Sequence, residues 1–125
     1  LSGTVESNVS YGLRFISLNR KQIRELVKEA LEWAGLANVA KHQAKTLSGG
    51  VKQRVAFTRA WILNPKVLLL DEPLANMDIE SRERALDLLK RMKSDGMSIV
   101  ITSHDANIID GLIDSHFSLL DGKLN

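Results

Sequence analysis

Apolar residues along this chain keep two different periods, and the places where one gives way to the other predict its elements. Ile23, Leu26, Val27, Ala30, Leu31 and Ala34 recur at the i, i+3, i+4, i+7 spacing of a single helix face, with Lys and Glu on the other face. Asn19 followed by Gln22 reads as a capping box and Gly35 as the C′ stop, so a helix is predicted from Asn19 to Ala34. A second helix is predicted over Gly49 to Leu63, with Ser48 as N-cap and Asn64-Pro65 ending it. Val67 to Leu70 is then a continuous apolar run of strand length. With no polar alternation, it predicts a strand buried on both faces, as in the middle of a parallel sheet. A charged amphipathic helix follows from Ile79 to Lys93, with Ala85, Leu86, Leu89 and Met92 inward and Gly96 closing it. A second buried strand is predicted at Ser98 to Thr102. A short helix over Ala106 to Gly111 leads to Phe117–Leu120, and Asp121-Gly122 is a hairpin turn signal.

Strand, helix and strand within about 35 residues make a βαβ unit, whose two strands lie parallel and open their C-terminal ends on one rim. In open α/β sheets that rim is where ligands bind. The residues just past the two strands are Asp71-Glu72 and His104.

Composition narrows the class without choosing a function. The 125 residues are 44% apolar and 26% charged, ordinary for a globular domain, which excludes disordered and low-complexity readings. A net charge of +2 is too small for a nucleic-acid footprint, so no nucleic-acid partner is expected. The absence of cysteine removes disulfides, thiolate nucleophiles and Cys-ligated zinc, and fits a reducing compartment. No apolar run approaches the roughly 20 residues that span a bilayer, and no signal-peptide pattern opens the chain. A soluble chain is expected, reaching a membrane only through a partner. It begins with Leu1, which suggests residues upstream.

Three stretches carry candidate chemistry. Four apolar residues, then Asp71-Glu72, then Pro73, have the form of a Walker B box. Neighbouring strand residues point apart, so Asp71 would hold Mg²⁺ while Glu72 polarises a water. Equally, acids and a proline can simply end a strand. His104 can donate to a phosphate oxygen or bridge it to a carboxylate; otherwise it is a turn histidine beside a helix cap. Ser48-Gly49-Gly50 at a helix start exposes backbone N–H groups at the positive end of the macrodipole. Lys52 and Arg54 follow, where the dipole disfavours positive charge unless an anion docks nearby. A Gly-Gly turn into a packing helix is the plainer alternative. A P-loop needs G-x-x-x-x-G-K-[ST]. The single Gly-Lys pair, Gly122-Lys123, is followed by Leu124 and has Phe117 where the first glycine belongs, so the chain holds no Walker A.

Taken in order, LSGGVKQR at 47–54, VLLLDEP at 67–73, LANMD at 74–78 and TSHD at 102–105 resemble the signature, Walker B, D-loop and switch-histidine motifs of the ATP-binding-cassette ATPases. Gly3 to Val9 with Tyr11-Gly12-Leu13 is similar to the stretch after that family's Q-loop, while Gln22, Gln43 and Gln53 are not placed to be the Q-loop glutamine. The resemblance implies an α/β fold: the C-terminal half of a P-loop NTPase-type parallel sheet plus an α-helical subdomain. Residues 1–46 would belong to that subdomain, and 47–125 to the signature helix and the rear half of the core.

Also by resemblance, two such domains sandwich two ATP molecules head to tail. Ser48, Gly49 and Gly50 would bind the γ-phosphate on the partner's P-loop, with Gln53 and Asp78 carried over as nucleotide-site residues and Asp78 coupling the two sites. Glu72 and His104 would act on the subunit's own ATP, with Asp71 on Mg²⁺. The usual signature glutamine is Val51 here; Glu72 is intact. The implied role is the ATP-hydrolysing subunit of a transporter, an importer by its lack of a fused membrane domain. It would partner a second nucleotide-binding domain and transmembrane permease subunits on the cytoplasmic face of the cell membrane. The isolated 125 residues are expected to be inactive. A soluble, non-transport ATPase and a non-catalytic interaction module are the competing readings.

Overall fold

Local capping sets where each helix begins. In the computed structural model, which describes residues 2–105, 107 and 110–125, α1 spans Val5–Ser10, with the Thr4 hydroxyl accepting from the Ser7 N–H. It is six residues long, too short for periodicity to announce it. Next, α2 (Arg20–Trp33) carries the predicted capping box: Asn19 Oδ1 accepts from Gln22 N, and Gln22 Oε1 from Asn19 N. Ser48 caps α3 (Gly49–Trp61) and Asp78 caps α4 (Ile79–Ser94). These three predicted helices thus start within one residue of expectation and end within two, Trp33 instead of Ala34, Trp61 instead of Leu63 and Ser94 instead of Lys93.

Between α3 and α4 runs β1 (Val67–Asp71), paired in parallel with β2 (Ser98–Thr102), Val67 opposite Ser98 and Asp71 opposite Thr102. A separate two-stranded hairpin joins β3 (Leu119–Leu120) to β4 (Lys123–Leu124) through Asp121-Gly122, both with positive φ as a tight hairpin turn requires. The short helix predicted over Ala106 to Gly111 lies largely outside the described residues.

One hydrophobic core links the helices and the β1–β2 pair, from Val5, Val9 and Leu13 through Val55 and Phe57 to Leu89, Met92 and Met97. Leu68, Leu70, Ile99 and Ile101 pack against it from the sheet. The opposite sheet face is open: Leu69 is 73% exposed, and Val67 and Val100 are more than half exposed. Burial of both strand faces is therefore overturned. An unbroken apolar run fits a two-faced or a one-faced strand equally, and among the described residues the chain covers one face. Two inward assignments also shift. Leu26 is exposed at the edge of the α2 stripe, and Leu86 is half-buried while Leu88 takes the core position.

Backbone bonds clamp the start of α1 to the segment that leads into α3. Val5 and Glu6 N–H groups donate to His42 and Ala40 carbonyls (3.0 and 2.9 Å), and Ala44 N–H donates to Gly3 (2.9 Å). The Arg54 Nη1 donates to the Ala34 carbonyl (3.1 Å), fastening α3 to the end of α2. Burial first, and Arg84 second, hold that guanidinium below its ordinary pKa.

Candidate active site

The parallel register brings the predicted rim residues together. At the C-terminal ends of β1 and β2, His104 Nε2 stands 3.1 Å from Glu72 Oε1. The His104 ring is almost wholly exposed, whereas the Glu72 side chain is mostly covered. His104 is presented by a turn in which the Ser103 hydroxyl accepts from Asp105 N–H (3.1 Å) and Asp105 Oδ1 accepts from Asn107 N–H (3.0 Å). A contact made by so exposed a ring adds little stability, so its geometry speaks to chemistry more than to folding.

Glu72 occupies a left-handed backbone conformation, φ +48°, which costs a non-glycine residue about 1–3 kcal/mol and persists only where surroundings enforce it. Its N–H donates both to the Thr102 carbonyl (3.2 Å) and to the Thr102 hydroxyl (3.1 Å). That hydroxyl donates in turn to Asp71 Oδ1 (2.5 Å), since an ionised carboxylate can only accept. The turn also sends Asp71 and Glu72 different ways: Asp71 is exposed on the open sheet face, and Glu72 leans toward His104.

A cleft of about 210 Å³ opens beside them, lined by Glu72, Ile101, Ser103, His104 and Asp105 among others. Its acidic groups are Glu72 and Asp105, beside the His104 ring and with no Lys or Arg, so it suits a cation better than a bare phosphate. No group of three His, Cys, Asp or Glu able to hold a metal occurs among the described residues. Mg²⁺ needs only one or two carboxylates when phosphates and waters complete its shell. Asp71 thus fits Mg²⁺ carried by a nucleotide, not a free ion. A larger cleft of about 560 Å³ lies between α1 and α2 and contains none of these residues.

The glycine-tipped helix is a second, adjoining group. Ser48 Oγ accepts from Val51 N–H (3.3 Å) and the Ser48 carbonyl accepts from Lys52 N–H (2.9 Å), which leaves the Gly49 and Gly50 N–H groups without an acceptor inside the helix. Ser48 and Gly49 are exposed. Gly50 is buried, and a Cβ there would lie 2.5 Å from Ser81 Cβ and Oγ, so only glycine lets the starts of α3 and α4 meet. Asp78 Oδ1 accepts from Ser81 N–H at that same contact (2.7 Å), and this bond to the Ser81 backbone, with the Ser81 hydroxyl next, holds the Asp78 carboxyl below the ordinary carboxylate pKa. Gln53 Nε2 donates to the Pro73 carbonyl (2.9 Å), tying α3 to the turn that carries Glu72.

Asp71, Glu72 and His104 therefore gather on one rim, and Ser48, Gly49, Gly50 and Asp78 at one pair of helix starts. Gln53 bridges the two groups. Thr102 and Ser81 were not singled out by the sequence. Thr102 carries no local signal, because only the pairing register sets it opposite Asp71.

Comparison with known proteins fixes the family. The family model described as ABC transporter matches residues 2–75, more than half of the chain. The chain belongs to the ABC transporter ATPase family. It is 38% identical over 121 residues to the cell division ATP-binding protein FtsE of Mycobacterium tuberculosis, a match covering 97% of this chain and 53% of that protein. It is 38% identical over 118 residues to the Fe(3+) ions import ATP-binding protein FbpC of Rhizobium etli, covering 94% of this chain and 33% of that protein. Among solved structures, cbiO1 of Clostridium perfringens, part of the ABC transporter complex cbiONQ, superposes with a TM-score of 0.88 at 32% identity, over 100% of this chain and 50% of that one. The fold is the α/β, P-loop NTPase type, and the chain spans about half the length of these relatives or less.

Proposed function

We propose that this chain is the rear part of a nucleotide-binding domain: residues 1–46 within its α-helical subdomain, 47–125 the signature helix and the C-terminal half of the P-loop core. In the complete subunit it binds and hydrolyses ATP to drive transport, in the import direction. The observation that carries this reading is the 3.1 Å contact between Glu72 and His104 on the rim where β1 and β2 end. Glu72 acts as the base that takes a proton from the attacking water, at Oε1 or Oε2. His104, fully accessible and able to donate from a ring nitrogen, orients Glu72 and a terminal phosphate oxygen together. Asp71 would hold the Mg²⁺ that neutralises phosphate charge when MgATP is bound.

The tip formed by Ser48, Gly49 and Gly50 has two N–H groups without an acceptor inside the helix at the positive end of its dipole, with Ser48 and Gly49 exposed, which suits the γ-phosphate of an ATP held by a second copy or a paralogous subunit. Asp78, at the shared start of α3 and α4, links that tip to the partner. Gln53 acts from its bond to Pro73, holding the tip in register with the Glu72 turn. ATP and Mg²⁺ are the cofactors, and closure of the pair follows ATP binding and reverses on hydrolysis.

Among the described residues no helix is long and apolar enough to cross a membrane. Permease subunits supply the channel, and the chain sits on the cytoplasmic face of the membrane. An exposed patch supports such docking. Tyr11, Phe15, Ile16 and Leu63 lie open to solvent, with Arg14 and Arg59 over the Tyr11 ring at 5.3 and 4.9 Å.

Glu72→Gln in the complete subunit tests the reading. ATP turnover falls by roughly a hundredfold or more, and an ATP-bound dimer accumulates. Normal hydrolysis by that variant contradicts the assignment of the base.

A further inference from the structure

None of the roles above uses Thr102, whose hydroxyl bonds both acids of the rim. Thr102 closes β2 directly opposite Asp71, and its hydroxyl bonds the last residue of β1 and the one after it: it donates to Asp71 Oδ1 at 2.5 Å and accepts from Glu72 N–H at 3.1 Å. The two bonds have distinct consequences. The first occupies one Asp71 oxygen and sets the carboxylate plane, and among the described residues Oδ2 has no hydrogen-bond partner. The second, with the Thr102 carbonyl at 3.2 Å, pins the backbone of Glu72 where φ is +48°. A residue in that conformation springs to another unless it is held, and its carboxylate would then leave His104. A β-branched residue also has few χ1 states, so the hydroxyl is pre-set for this task.

We infer that Thr102 is a positioning residue for ATP hydrolysis, its hydroxyl locking Asp71 with one free oxygen toward the cation and Glu72 with its carboxylate against His104. This rests on the hydrolytic role proposed for Glu72. The same contacts explain why one hydroxyl serves two acids that point apart: it sits at the hinge between them, on the neighbouring strand.

The test uses Thr102→Val and Thr102→Ser in the complete nucleotide-binding subunit, with Glu72→Gln as reference. Thr102→Val keeps the shape and removes the hydroxyl. Displacing a reacting group by about an ångström costs up to roughly a hundredfold, so kcat falls about ten- to a hundredfold while KM for MgATP stays within about twofold. In the nucleotide-free subunit, amide hydrogen exchange at Glu72 quickens at least about threefold while that at Leu70 is unchanged. Thr102→Ser restores the hydroxyl, holding kcat within about threefold of the parent and Glu72 exchange near parental. A kcat within about twofold in Thr102→Val, or a Thr102→Ser variant as damaged as Thr102→Val, overturns the inference. So does a KM that rises as much as kcat falls. Should Glu72→Gln itself turn over normally, the hydrolytic reading fails while the exchange result still decides whether Thr102 holds the Glu72 backbone.

Discussion

Gly50 shows how one missing side chain can decide where two helices meet. A Cβ at that position would stand 2.5 Å from Ser81 Cβ and Oγ, inside any permitted contact. Gly50→Ala is therefore expected to destabilise the complete subunit by about 1–3 kcal/mol, as overpacking does. Ser81→Gly on the same background should recover much of that loss, a coupling that urea denaturation of the single and double variants measures. Asp78, one turn earlier, makes a pH prediction. Its folded pKa lies below the unfolded one, through the Ser81 backbone bond first, so its stabilisation is present above the ordinary aspartate range near about pH 4 and is lost as pH falls through the depressed value. Asp78→Asn keeps a capping oxygen and removes the charge, so the variant should lose less stability than the parent between pH 5 and pH 3, roughly the window of that titration, in thermal melts. Helix starts such as these were legible in the sequence because a cap is a local event: Asn19 and Gln22, or Ser48 and the N–H three residues on, settle it among themselves. Thr102 was not, because its role comes from the residue opposite on another strand.

Elements are held together by contacts no periodicity announces. Trp33 at the end of α2 stacks on Trp61 at the end of α3, rings 4.3 Å apart and 10° from parallel. Arg91 of α4 donates to the Trp33 carbonyl at 2.6 Å, and Trp61 Nε1 donates to Asp95 Oδ2 at 3.2 Å. Three helix C-terminal ends thus share one clasp. Trp61→Ala should cost about 2 kcal/mol, below the fully buried range because both rings are half-exposed, and Trp61→Phe about half of that; chemical denaturation of the complete subunit measures both. The strands teach the opposite lesson. Their existence and parallel pairing followed from two apolar runs around an amphipathic helix, with β1 one residue longer than its apolar run, yet which faces are buried did not follow. Val67, Leu69 and Val100 are as apolar as Leu68 and Leu70, so only the covering element separates the two sets, and that element is not written in the strand.

At the scale of the whole molecule, that open face and the absent Walker A sequence have one consequence. A parallel sheet with one bare apolar face and no P-loop should neither stay monomeric nor hold nucleotide by itself. The isolated 125 residues are expected to self-associate in sedimentation and to show no detectable ATP binding in equilibrium dialysis. Micromolar binding by that piece would contradict this. The most direct check of the central claim, that Glu72 and His104 serve the subunit's own ATP while the Ser48 tip serves its partner's, is the mass in solution of the complete Glu72→Gln subunit with and without Ser48→Arg, in the presence of MgATP. The account predicts a dimer for Glu72→Gln alone and a monomer for the double variant, with ATP bound by that monomer at near-parental affinity. A double variant that still dimerises, or a monomer that has lost its own nucleotide, would contradict it.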